Sequence, residues 1–271
     1  SMYRKETGES YIRRKSFENM RRELMFYKEE MGAEYLYFWA DTFFTWKKGE
    51  FERFSEIYKD VGLPFWCQTR IETVNEKRMK LLEEIGCARI SFGIEHGNEK
   101  YRREVLKRAM SNKLIISALK ILEKADIPVT VNNIMGFPDE TRELVFDTIN
   151  LNRSIKTATI NAFLYNPYPG TALYEVCKKK GYLPKEGEEK TVDAFLSTEA
   201  FPYFKTILNL PTISKMELCG LQKTFVLYTK LPRYEFKRIK IAEQHNEEGD
   251  KMFEVLSQEY KDVIQGKIQL P

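Results

Sequence analysis

Along the chain, short apolar runs alternate with stretches whose apolar residues return every three or four positions, the two periods that separate buried strands from amphipathic helices. After Ser16, a helix-capping residue type, Met20, Leu24, Tyr27 and Met31 recur at helical spacing and Gly32 follows as a stop. Residues 35–40, YLYFWA, are too few for a buried helix and rich in aromatics, which predicts a buried strand ending at Asp41. The unit then repeats in kind. A helix over 49–61 leads to a strand over 64–70, and a helix carrying Met79, Leu82 and Ile85 stops at Gly86 before a strand over 88–94. A longer helical stretch, capped by Ser111 and carrying Ile115, Ala118, Leu119 and Leu122, leads to a strand over 128–135. A helix after Asp139 leads to the last strand, 158–164.

Beyond this point the pattern changes. The Pro- and Gly-rich loop 165–171 precedes a short helix over 172–180, and 185–190 is a charged excursion. From Ser214 onward the pattern predicts two helices broken near Pro232, the first carrying Leu218, Leu221, Phe225 and Tyr228 and packing on the outside or open edge of the preceding sheet.

Buried strands alternating with helices require right-handed crossovers between parallel neighbours, which an α/β barrel and an open doubly wound sheet both satisfy. In either, ligand-binding groups gather at the C-terminal ends of the strands. Asp41, Arg70, Glu95, Asn132, Asn133 and Asn166 all fall at or just beyond such ends. Helix capping is the structural alternative for Asp41 and Asp139. Glu95 directly follows the apolar run 90–94, where an ionised carboxylate is costly unless paired or offered to a ligand.

Composition narrows the classes. The 44 basic and 40 acidic residues leave a formal charge of +4, spread without a long basic tract. That argues against dedicated nucleic-acid binding, which wants a clustered positive surface, without excluding an RNA substrate. No apolar run reaches the roughly 20 residues of a membrane span, so the chain reads as a cytoplasmic protein. Ser1 ahead of Met2 reads as a tag remnant. The four cysteines, Cys67, Cys87, Cys177 and Cys219, are far apart and there are two histidines, so no metal site can be written from neighbouring ligands. Each cysteine reads as a buried apolar residue, Cys67 being the one to watch because it precedes a polar strand tip.

The strand-end signatures taken in order resemble the radical S-adenosylmethionine (SAM) superfamily, and within it the group that often carries a cobalamin-binding domain ahead of the barrel. The stretches are YIRRKSFENMRREL at 11–24, FWADTFF at 38–44, FWCQTRIETV at 65–74, IGCARISFGIEHGNE at 85–99, NNIMGFPDET at 132–141 and NPYPGTALYE at 166–175. They span residues 11–180, which the resemblance makes a partial TIM-type (β/α) barrel of parallel strands lacking its first strand. Residues 181–213 are then a loop-rich connection and 214–271 a C-terminal helical extension. The resemblance implies that SAM and a [4Fe-4S] cluster start radical chemistry such as methyl transfer or cyclisation on a small molecule, with cobalamin from a preceding domain. It implies that Asp41 lies near SAM's amino group or the substrate, that Arg70 pairs with a carboxylate, and that Glu95 contacts the ribose or amino-acid portion. Asn133, Gly136 and Pro138 complete the cofactor-binding set, the Gly-x-Pro turn approaching adenine. At position 96 the family usually has serine; the histidine here reads as surface or structural, with reach into the pocket as the alternative.

The resemblance also calls for a Cys-x-x-x-Cys-x-x-Cys loop just before Tyr11, and none is present. The expectation is that the chain starts after that loop and is inactive alone, with an open strand edge that favours an edge-paired or swapped dimer. The alternatives are a non-catalytic binding or scaffold barrel that has lost the cluster, and an ordinary barrel active site with Glu95 as general base.

Overall fold

A computed structural model describes residues 14–184, 206–265 and 267. The charged stretch 185–190 lies outside them. Five strands form one parallel sheet in the order β1-β2-β3-β4-β5, alternating with helices as the apolar pattern requires. The chain divides into two compact units, Ser1–Gly93 with Leu114–Thr130, and Ile94–Lys113 with Val131–Pro271.

In the first unit, α1 (Phe17–Glu29) starts where the Ser16 side chain accepts from the Asn19 amide at 3.2 Å. It is followed by β1 (Leu36–Phe38), which is shorter than the expected 35–40. Next come α2 (Glu50–Val61), β2 (Phe65–Thr69), α3 (Glu76–Glu84) and β3 (Cys87–Glu95), whose last two residues pass into the second unit. β1 pairs with β2 in parallel, with Tyr37 opposite Trp66, and β2 pairs with β3. The core is aromatic. Phe38 lies 5.3 Å from both Phe43 and Phe65 and 5.8 Å from Tyr58 between ring centroids, with most rings tilted or edge-on. A fully buried phenylalanine contributes roughly 2–3 kcal/mol by area, so this cluster dominates the unit.

A short α4 (Glu99–Glu104), not expected from the apolar pattern, precedes α5 (Asn112–Lys124), the helix expected after Ser111. The break between them falls at Lys107, whose φ of 55° takes the backbone out of the right-handed helix. Then follow β4 (Val129–Met135), α6 (Arg142–Arg153), β5 (Thr159–Leu164) and α7 (Ala172–Lys179). The C-terminal region holds three helices rather than two: α8 (Lys215–Lys230), α9 (Phe236–Ala242) and α10 (Glu247–Ile264). Pro232 breaks the first pair as expected. The second break is set by Asn246, whose side chain accepts from the Gly249 amide at 2.8 Å, ahead of the acidic first turn Glu247, Glu248 and Asp250. Leu218, Leu221 and Phe225 of α8 join Met135, Val145, Ile149 and Ile160 in one core, so the extension packs on the helix-covered face of its own unit.

A charge cluster around the buried Glu243 carboxylate fastens α9 to α6. Arg142 grips Glu243 with Nη2–Oε1 at 2.5 Å and Nη1–Oε2 at 2.9 Å, while Tyr228 donates at 2.5 Å and Lys240 at 2.8 Å. Burial alone raises the Glu243 carboxyl, yet Arg142, Lys240 and Tyr228 together hold it below its usual range. A carboxylate depressed on folding adds stability that is present above the ordinary carboxylate range and lost as pH falls through the depressed value. Glu243→Ala is expected to cost about 3 kcal/mol in urea unfolding at neutral pH. Glu243→Gln should flatten the acid limb of the stability profile.

Candidate functional site

Backbone bonds in the first unit hold the loop after β1 against the end of β2. The Phe43 amide donates to the Gln68 carbonyl at 2.9 Å and the Phe44 amide to Thr69 Oγ1 at 3.3 Å. Phe43 and Phe44 are buried, and Asp41 just before them stays exposed. Asp41 is not a helix cap, since α2 starts nine residues later behind Gly49. Arg70 is exposed at the tip of β2 and pairs with Glu72 at 2.8 Å. The unit thus joins the segments carrying Asp41 and Arg70. Cys67 faces the core, and its thiol is pushed up by a hydrogen bond with Cys87 and by burial, which makes it a poor nucleophile.

The second unit holds Glu95, Asn133, Gly136 and Pro138. Glu95 ends β3 with φ 67°, a left-handed backbone that costs a non-glycine residue about 1–3 kcal/mol. Its carboxylate takes a hydrogen bond from Nη1 of Arg108, and burial raises its pKa against the pull of that arginine. Arg108 keeps a spare buried donor, for its Nε has no partner among the described residues.

Arg102 brings Arg108 there. Fully buried, it donates to the His96 carbonyl and, at 3.2 and 2.7 Å, to the Met110 carbonyl, with Asn112 Oδ1 also at 2.7 Å. It therefore ties the residue after Glu95 to the residue two beyond Arg108. Asn112 adds a bond from Nδ2 to the Gly97 carbonyl at 3.0 Å.

The segment after Glu95 also grips the Gly136–Pro138 turn. Glu140, fully buried, accepts on Oε2 from the Gly136 and Phe137 amides, and its Oε1 stands 2.9 Å from Nε2 of His96. His96 is fully buried, not on the surface, and its Nδ1 accepts from the Asn98 amide at 3.0 Å. Its ring stacks on Tyr101, centroids 4.5 Å apart, and Tyr101 donates to the Pro138 carbonyl at 2.7 Å. Gly136 has φ 84°, a conformation glycine adopts freely.

Asn133 is spent elsewhere. It is fully buried and exchanges side-chain bonds with Asn152 of α6, at 2.8 and 3.2 Å, on the same face of β4 as Val131 and Met135. Asn132, on the opposite face, accepts from Asn161 at 3.0 Å. Asp139 does not cap α6 either; Thr141 does, and Asp139 instead binds Lys180 and Tyr182, which lower its pKa. Sequence reasoning missed Arg102, Arg108 and Glu140, although an acid two residues past a Gly-x-Pro turn was a readable sign of an anchored loop.

The match to the radical SAM superfamily covers residues 2–151, and the chain belongs to that superfamily. It is 31% identical over 161 residues to an uncharacterised methyltransferase of Pyrococcus horikoshii, covering 59% of this chain and 35% of that protein. It is 22% identical over 209 residues to cytidylyl-2-hydroxyethylphosphonate methyltransferase of Streptomyces wedmorensis, covering 74% of the chain and 37% of that protein. Among solved structures, the cobalamin-dependent S-adenosylmethionine radical enzyme OxsB superposes with a TM-score of 0.57 at 10% identity, covering 93% of this chain and 43% of that one. The radical SAM enzyme coproporphyrinogen III oxidase of Escherichia coli gives 0.50 at 16%, covering 68% and 44%. These likenesses show the fold. The chain spans about a third of the length of the two curated relatives.

Of the two groups the superfamily implies, the residues fit one. A zwitterionic methionine with an attached nucleoside suits a carboxylate, a guanidinium with a spare donor, and a glycine turn. The four cysteines do not fit a [4Fe-4S] cluster: all are free and buried, and no group of metal-ligating side chains occurs among the described residues. Nor is any described helix long and apolar enough to cross a membrane.

Proposed function

We propose that this chain carries the SAM-binding part of a radical SAM enzyme. The Glu95–Arg108 pair supports the reading most directly. A carboxylate beside a guanidinium is the complement of an amino acid's ammonium and carboxylate, and here Glu95 ends a strand in strained backbone geometry with Arg108 against it, both side chains partly buried. Arg108 Nε is a desolvated donor suited to an incoming carboxylate oxygen. The Gly136–Pro138 turn is the place for adenine. Asn133 serves by stiffening β4. When bound, SAM supplies a labile S–C bond and an activated methyl group; the chain's own residues orient its two ends.

The reaction class we assign is methyl transfer to a small molecule, since both sequence relatives described above are named methyltransferases. Cluster ligands lie outside the described cysteines, and cobalamin remains part of the proposal for the whole enzyme.

Isothermal calorimetry of the chain with SAM tests the binding reading. Saturable binding at one site, competed by S-adenosylhomocysteine, is the expected result. Heats no larger than dilution for a folded sample would overturn it.

A further inference from the structure

The buried polar cluster beneath the turn does more than fill space. Glu140 is a fully buried carboxylate whose Oε2 accepts both amides at the head of the turn, Gly136 and Phe137. Its other oxygen, Oε1, stands 2.9 Å from Nε2 of His96, off the ideal hydrogen-bond line, and has no other hydrogen-bond donor among the described residues. Because Nδ1 of His96 accepts from the Asn98 amide, the neutral ring carries its proton on Nε2, facing Glu140. The ring is held by its stack on Tyr101 and the backbone at His96 by the bond of Arg102 to its carbonyl.

We propose that His96 is a positioning residue which, through Glu140, holds the Gly136–Pro138 turn in the shape that receives the adenosine end of SAM. The idea rests on the SAM-binding reading above and goes beyond it by assigning the two ends of the ligand to separable supports. Without His96, Oε1 is a buried polar oxygen with no donor in reach, and a carboxyl group so placed turns toward water and releases the two amides. Arg102 leaves the amino-acid end intact, since it ties the segments of Glu95 and Arg108 through backbone carbonyls that any residue at 96 provides. A histidine that merely packed would carry no such asymmetry.

The test uses the two halves of the ligand as separate probes, 5′-methylthioadenosine and L-methionine, titrated into wild type, His96→Ala and His96→Gln. His96→Ala should lose about tenfold in affinity for 5′-methylthioadenosine and stay within about twofold for methionine. His96→Gln, whose amide can donate to Glu140, should recover most of the loss. Amide hydrogen exchange gives a readout independent of ligand: Gly136 and Phe137 should exchange faster in His96→Ala and near normally in His96→Gln. Equal losses for both probes, unchanged affinity for 5′-methylthioadenosine, or unchanged exchange at the two amides would overturn the proposal. A folded wild type that binds neither probe would instead overturn the SAM-binding reading beneath it.

Discussion

Glu95→Gly is expected to abolish most SAM binding while leaving the stability of the fold nearly unchanged. The carboxylate offers a charge-assisted hydrogen bond to an ammonium, and its loss removes about 2–3 kcal/mol, or roughly 30- to 200-fold in Kd by calorimetry. Two effects on stability oppose each other. Glycine relieves the left-handed strain at φ 67°, and Arg108 loses its partner. Arg108 is partly exposed, so water takes over some of its solvation and the balance stays near zero. Glu95→Ala keeps the strain and loses the partner, and should unfold at lower urea than the glycine variant. The comparison separates a ligand contact from a structural one.

The same residue sets a pH dependence. Burial raises the Glu95 pKa and Arg108 only partly restores it, so the neutral form is favoured in the free protein relative to an unfolded chain. The sign for stability is therefore opposite to that of Glu243: between the ordinary carboxylate value and the raised one, the folded state binds more protons, and stability falls as pH rises through that window. Binding of an ammonium needs the ionised form. SAM affinity should weaken as pH drops through the raised pKa, and binding there should release a proton, visible as a buffer-dependent calorimetric enthalpy.

The order of helices and strands was legible because each strand buries an apolar run and each helix a stripe, patterns that survive without tertiary knowledge. Glu95 was legible too, as a charge stranded after an apolar strand. Asn133 was named from its neighbourhood, but strand parity decides its face: Val131 and Met135 are core residues, so Asn133 joins them and Asn132 does not. The break at Asn246 was readable from the asparagine followed by acids, whereas the left-handed turn at Lys107 has no glycine or proline to announce it and is spanned by the bonds of Arg102 to the His96 and Met110 carbonyls. Arg108 and Glu140 act through partners 13 and 44 positions away, Glu95 and His96, and no local pattern encodes such pairings.

Gly97 makes the sharpest demand on the local packing. It sits between His96 and Asn98, its amide donating to Thr148 Oγ1 at 2.8 Å while Asn98 Nδ2 reaches Asp147 at 2.8 Å, so the segment after Glu95 is laid directly on α6. A β-carbon built at Gly97 would fall 2.5 Å from the Asp147 carbonyl carbon, and nearer still to the Asp147 oxygen and Thr148 Cα. All three are backbone atoms inside a helix. No rotamer change can make room, and the segment must lift from α6 or α6 must shift within a core that includes Val145 and Ile149. Lifting breaks the Thr148 and Asp147 bonds and draws His96 from Glu140. Gly97→Ala is therefore expected to cost about 4 kcal/mol or more, a fall in Tm on the order of 10 °C for a chain of this size, read by calorimetry or circular dichroism. Thr148→Ala, which deletes one bond and adds no atom, should cost about 1 kcal/mol. Near-equal losses in the two variants would mean that the bond, and not the close approach of the two backbones, fixes the segment.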